Sequence, residues 1–80
     1  MIEVIMYTKE NCSLCDKAEA LLAGLAGEWP HRLVKVDITM DDGLWERYRY
    51  AIPVLRVGER EVGAPLAEAE VVALLGGGDE

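Results

Sequence analysis

The sequence predicts an α/β sandwich, in which helices cover a mixed β-sheet. Two observations support this prediction: short β-prone apolar runs alternate with stretches of helical period, and a tight turn separates the last two runs. The resulting order is strand, helix, strand, helix, strand, strand, helix. This order requires a parallel pair of strands joined by a right-handed crossover, followed by an antiparallel hairpin in the same sheet.

The first part of the chain predicts a strand–helix–strand unit. The apolar run Ile2–Tyr7 is typical of a short strand. The period then changes to that of a helix, whose predicted apolar face comprises Leu14, Ala18, Leu21, Leu22 and Leu25. Gly24 and Gly27 mark the end of this helix. The alternating stretch Leu33–Val36 predicts the second strand.

A short second helix is expected next, because Asp37, with Thr39 or Asp41, can cap a helix N-terminus. Its apolar face comprises Leu44, Trp45 and Tyr48. The run Ile52–Val57 then predicts a strand that a proline opens, and Gly58–Arg60 predicts the turn into a fourth strand.

The last helix is predicted to start at Pro65 and to end at the glycines 76–78. The chain therefore consists of one domain, residues 1–75, and a flexible C-terminal tail, residues 76–80. With 80 residues there is room for a single core. The 51% hydrophobic and 29% charged residues are typical of a globular domain and not of a disordered chain.

The charge and the apolar pattern exclude several classes of partner. A net charge of -7 repels nucleic-acid phosphates and anionic lipid, so we expect neither nucleic acid nor membrane as a partner. The longest apolar run is too short to span a membrane, and the first residues carry no export signal. We expect a cytoplasmic monomer.

The two cysteines, Cys12 and Cys15, stand as Cys-Ser-Leu-Cys. A bridge between them closes a loop too short to join two elements, and the chain-entropy estimate gives it about 2 kcal/mol at most. Reduced thiols also prevail in the cytoplasm. The spacing therefore favours reversible redox chemistry, with Cys12 as the exposed attacking thiolate and Cys15 as the buried resolving thiol.

The predicted surroundings of Cys12 both favour and oppose the thiolate form. The N-terminus of the first helix and the Lys9 ammonium favour it, whereas Glu10 and Asp16 oppose it. Two other interpretations stay open: a metal or iron-sulfur site that uses the same cysteines, and a redox-inert interaction domain. Zinc needs about four ligands, and the chain offers Cys12, Cys15 and one histidine, His31, so only a dimer could complete such a site, and we expect no metal ligand in the single chain.

Two motifs resemble those of glutaredoxin-family proteins: Tyr7-Thr8-Lys9 before Cys-Ser-Leu-Cys, and Ile52-Pro53-Val54 before the hairpin. The resemblance covers nearly the whole chain. It implies a thioredoxin-like βαβαββα sandwich with a four-stranded mixed sheet in the order 2-1-3-4 and three helices. It also implies a cis bond before Pro53, and a substrate site that includes Tyr7, Lys9, Ile52 and Pro53, in which the backbone of Ile52 pairs with an extended substrate segment.

The resemblance implies a thiol–disulfide oxidoreductase that acts on disulfide-containing proteins or small thiols and has no tightly bound cofactor. The implied reductant is glutathione or a donor of the thioredoxin reductase type. The chain departs from the family pattern at Ser13-Leu14, where Pro-Tyr is usual, and in 63–67, which lacks the acidic residue of glutathione binders. These departures leave open whether glutathione is a co-substrate.

Overall fold

A computed structural model describes residues 1–77 of the chain. Its four-stranded mixed sheet has the order β2-β1-β3-β4, as expected. The strands are β1 (Ile2–Thr8), β2 (His31–Asp37), β3 (Val54–Val57) and β4 (Arg60–Gly63). β1 pairs in parallel with β2 and antiparallel to β3, which pairs antiparallel to β4. The fold is the thioredoxin-like α/β sandwich that the sequence predicts.

Residues 1–77 also contain three α-helices and one 3₁₀ turn: α1 (Ser13–Leu25) connects β1 to β2, the 3₁₀ turn (Ile38–Met40) and α2 (Asp42–Tyr48) connect β2 to β3, and α3 (Glu68–Gly77) follows β4. Both aspartates that the sequence singled out act as caps. The Asp37 carboxylate accepts the Thr39 backbone N–H at 2.8 Å, and the Asp41 carboxylate accepts that of Leu44 at 3.0 Å. Each cap satisfies a backbone donor that the first turn leaves free.

The sheet separates two apolar clusters. On one face, strand residues pack with helices α1 and α3 in a cluster made of Val4, Met6, Leu55, Ala18, Leu22, Leu25, Val71, Leu74 and Leu75. On the other face, the 3₁₀ turn and α2 cover a smaller cluster made of Tyr7, Val54, Ile38 and Tyr48. Alternation along β1 and β3 assigns neighbouring residues to opposite clusters.

Strand β3 is shorter than predicted, because it begins at Val54 and not at Ile52. The backbone N–H of Ile52 donates to the Tyr48 carbonyl at 3.2 Å, and Pro53 has no N–H to give. Neither residue can therefore donate to a strand ladder. The Ile52-Pro53 bond is cis, which confirms the implied isomer.

Helix α3 differs from the prediction at its start. It begins at Glu68 and not at Pro65, because its first bonds run to the Ala67 carbonyl; the Ala64-Pro65 bond is also cis. The helix continues through Gly77, within the glycine run at which the sequence predicts its end.

The glycine at position 76 has a packing role that the sequence prediction missed. A Cβ on Gly76 would lie 2.9 Å from Cζ3 of Trp29, so the missing side chain makes room for the indole ring. Gly76 therefore contributes to the packing of the last turn of α3. The rest of the predicted tail, residues 78–80, lies outside the described residues.

Candidate functional site

The dithiol lies at the start of helix α1. Cys12 is the N-cap residue, with an extended backbone, and its Sγ accepts the backbone N–H of Cys15 at 3.2 Å. The two Cα atoms are 5.2 Å apart, and the two sulfur atoms lie at disulfide-bonding distance. Cys12 is half-buried, whereas Cys15 is only 2% exposed, which confirms the predicted difference in burial.

The connection between β1 and α1 sets the position of Cys12. Asn11, directly before it, has a positive φ of 58°, a conformation that asparagine tolerates better than most residues. This turn brings Cys12 to the helix N-terminus, where free backbone N–H groups and the helix dipole favour negative charge on a thiolate. The arrangement can stabilise an anionic sulfur at Cys12.

Pro53 lies at the end of the sheet at which β1 ends and the loop to the dithiol begins. Tyr7 and Val54 are paired residues of β1 and β3, so Pro53 lies level with the C-terminal end of β1. The Ile52 N–H is already bonded to Tyr48. The resemblance implies that the Ile52 backbone pairs with an extended substrate through its N–H and its carbonyl. Because the N–H is already bonded, only the carbonyl can contribute to this pairing.

Tyr7 lies in the core on the α2 side of the sheet. It is 7% exposed, and its ring stacks on Tyr48 with centroids 4.3 Å apart and an interplanar angle of 14°. The Tyr48 hydroxyl donates to the Glu61 carboxylate at 2.6 Å. Burial, and then this hydrogen bond, raise the pKa of Tyr48 to about 12. The stack joins the end of β1 to the end of α2.

Lys9 is exposed and points toward helix α2. Its Nζ lies 5.9 Å from the centroid of the Trp45 ring, within the range of a cation–π contact. Among the predicted site residues, the structure thus brings Ile52 and Pro53 to one groove, described next, and directs Tyr7 and Lys9 toward α2.

An apolar groove of about 460 Å³ lies beside the dithiol, between α1, the segment 50–53 and the segment 64–66. Its walls include Leu14, Ala18, Tyr50, Pro53, Pro65 and Leu66. Leu14, which the helical period placed on the buried face, is 54% exposed. That expectation was wrong, because the first turn of α1 borders this open groove.

Sequence reasoning missed Tyr50 as part of the groove. Its side chain is 90% exposed at the rim of the groove. The only local signal is that Tyr50 lies two residues before Ile52. Nothing in the sequence shows that three separate segments meet at this groove.

A second groove, of about 310 Å³, lies on the β2 side of the dithiol and is polar. Cys15 lines it together with six charged residues, Lys9, Glu10, Asp16, Glu19, Lys35 and Asp37. Lys35 Nζ pairs with a Glu19 carboxylate oxygen at 3.1 Å. Carboxylates thus outnumber ammonium groups on this side of the dithiol.

The structure separates His31 from the two cysteines. His31 pairs with Ile2 at the start of β1, six residues before Thr8, which is about 20 Å along a strand. Its Nδ1 lies 2.7 Å from the Trp29 carbonyl oxygen. Within residues 1–77, no three His, Cys, Asp or Glu side chains come together as a metal-binding group.

Comparisons with known proteins agree with the fold. Residues 3–76 match the family model described as "Glutaredoxin-like domain (DUF836)". The chain belongs to this glutaredoxin-like family. A search of curated proteins returns no significant match.

Solved structures similar to this glutaredoxin-like chain include two bacterial proteins. The X-ray structure of target protein XcR50 from X. campestris is 29% identical, with a TM-score of 0.81 over 92% of this chain and 96% of that one. The NMR structure of protein Ne2328 from Nitrosomonas europaea is 25% identical, with a TM-score of 0.82 over 92% and 91%.

Oxidised thioredoxin O2 from Arabidopsis thaliana is 18% identical, with a TM-score of 0.69 over 96% of this chain and 74% of that one, which shows the shared fold alone.

Among the helices of residues 1–77, none has the length and apolar character that crossing a membrane requires.

Proposed function

We propose that this glutaredoxin-like protein is a thiol–disulfide oxidoreductase in which Cys12 attacks and Cys15 resolves. One observation supports the proposal most directly. The half-buried Cys12 sulfur lies at the N-terminus of α1 and accepts a backbone N–H, and a buried second sulfur lies at bonding distance. A thiolate needs this combination of stabilisation and access to act as a nucleophile.

The reaction consists of two exchange steps. The Cys12 thiolate attacks one sulfur of a substrate disulfide, the substrate S–S bond breaks, and the leaving thiolate takes a proton from solvent. Cys15 then loses its proton to solvent and attacks Cys12 Sγ, which releases the second substrate thiol. Two electrons have passed to the substrate, and the protein holds a Cys12–Cys15 disulfide.

A thiol reductant closes the cycle. It returns two electrons to this disulfide, and we propose a small thiol or a reductase for this role. Helix α1 supports the first step, because its N-terminal N–H groups stabilise Cys12 as the attacking thiolate.

The two cysteine-to-serine variants test the assignment of roles. Cys12→Ser is expected to abolish exchange with a peptide disulfide, because the attacking sulfur is lost. Cys15→Ser is expected to accumulate a protein–peptide mixed disulfide, which intact-mass spectrometry detects as one added peptide thiol. Circular dichroism of both variants serves as the control for folding.

Three results would contradict the proposal. Equal residual turnover in both variants would exclude distinct roles for the two sulfurs. Two thiols that stay alkylatable after mild oxidation of the wild type would indicate a redox-inert interaction domain. Iron or zinc bound stoichiometrically by the purified protein would indicate a metal site completed between chains.

A further inference from the structure

We infer that the apolar groove beside the dithiol selects an uncharged, extended peptide segment with a bulky aliphatic residue next to its oxidised cysteine. The inference rests on the proposed exchange reaction and names its substrate class. It depends on three features of the structure: the position and size of the groove, the charges on both sides of the dithiol, and the backbone groups at Ile52.

The position of the groove brings a side chain next to the substrate disulfide. Leu14 lies between the two cysteines in sequence and forms part of the wall, as does Pro53, which is level with the end of β1. About 460 Å³ accommodates one or two large side chains. Leu14 and Tyr50 are 54% and 90% exposed, so both can bury apolar surface against an incoming residue.

The charges near the dithiol give little support to an anionic substrate. Among the described residues, Lys17 supplies the only charged side chain that lines the apolar groove, so at most one carboxylate finds a cation there. On the other side, the polar groove carries four carboxylates and two ammonium groups. Of the two ammonium groups, that of Lys9 contacts Trp45 and that of Lys35 is paired with Glu19. Glutathione has two carboxylates and one ammonium, and a charge that is desolvated without a partner costs several kcal/mol. The net charge of -7 adds repulsion.

The backbone at Ile52 offers little selectivity of its own. Its N–H is bonded to the Tyr48 carbonyl, and the next residue is a proline. An extended substrate can still donate one N–H to the Ile52 carbonyl, but a second bond of a β-pair is not available. Discrimination between substrates therefore depends on the side chain that enters the groove.

Three disulfides presented to the reduced protein test the inference. Two are short peptide disulfides of zero net charge that differ only in the residue beside cysteine, leucine in one and serine in the other. The third is oxidised glutathione. The second-order rate constant is expected to be about tenfold higher for the leucine peptide than for either of the others, as burial of one aliphatic side chain implies.

Two variants locate the effect. Tyr50→Ala is expected to slow the leucine peptide about threefold to tenfold and to slow the serine peptide less, because the leucine side chain buries more apolar surface against the rim. Met40→Ala is the matched control: Met40 is 82% exposed but lies in the 3₁₀ turn, outside the groove, and its loss should change neither rate.

The outcomes separate this inference from the proposed function. Equal rates for the two peptides, a faster reaction with glutathione, or an equal effect of Tyr50→Ala on both peptides would overturn the inference and leave dithiol exchange standing. Exchange with none of the three disulfides would overturn both.

Discussion

Tyr48 is expected to stabilise the loop that carries Pro53, and removal of its hydroxyl tests this role. Its ring stacks on Tyr7, its hydroxyl donates to Glu61, and its carbonyl accepts the N–H groups of Ala51 and Ile52 at 2.8 and 3.2 Å. Tyr48→Phe keeps the ring and the backbone bonds and removes only the hydroxyl. The variant therefore isolates the bond to Glu61.

The magnitude follows from the burial of the two partners. A hydrogen bond to a charged group contributes about 1.5 to 3 kcal/mol, but Glu61 is exposed, so water can replace the lost donor. We therefore expect Tyr48→Phe to lower the free energy of unfolding by about 1 kcal/mol at neutral pH. Tyr50→Phe is the matched control, because that side chain is 90% exposed and its loss of a hydroxyl should cost nothing measurable.

The raised pKa of Tyr48 gives the same prediction a pH signature. The phenol has its ordinary pKa of 10.0 in the unfolded chain and about 12 in the folded one, so the folded state binds this proton more tightly. The stabilisation that the protonated Tyr48 gives to the folded state is complete below pH 10 and is lost as the pH rises through 12. The stability difference between wild type and Tyr48→Phe should therefore narrow over this interval.

The loss in free energy of unfolding and its pH dependence are both measured by urea unfolding of four proteins: wild type, Tyr48→Phe, Glu61→Gln and the double variant. We expect the two losses to be less than additive, because each single variant already breaks the same bond. Strictly additive losses, or a stability difference that stays constant from pH 10 to 12, would refute the hydrogen bond as the cause.

Two further predictions concern packing and charge. Gly24→Ala should raise the free energy of unfolding by about 0.5 to 1 kcal/mol, since the new Cβ meets nothing within 4 Å. Gly76→Ala should raise it less or lower it, since the new Cβ would meet Trp29. Equal gains in free energy of unfolding in a denaturant titration would contradict this prediction. Lys9→Gln should slow alkylation of Cys12 by less than about threefold, because the ammonium is held over Trp45 at the surface, and a tenfold loss would show direct action on the sulfur.

Much of the fold could be predicted from the sequence, because its signals are local. The period of the apolar residues set the order of the elements, and the short-range pattern at Asp37 and Asp41 indicated two real caps. The spacing of Cys12 and Cys15 on a helix start was sufficient to predict two sulfur atoms that can meet, with the second more buried. Each of these conclusions depends on residues a few positions apart.

The tertiary structure alone decided which surfaces surround the dithiol. The apolar groove combines α1 with segments 50–53 and 64–66, so no local pattern reveals it, and it is the reason that Leu14 stays exposed. Packing across the sheet also directed Tyr7 onto Tyr48. Gly76, which the sequence indicates only as part of the helix end, also makes room in the last turn of α3 for Trp29, which occupies the space of its missing side chain. Such contacts between distant residues depend on volume and direction, which the order of residues does not encode locally.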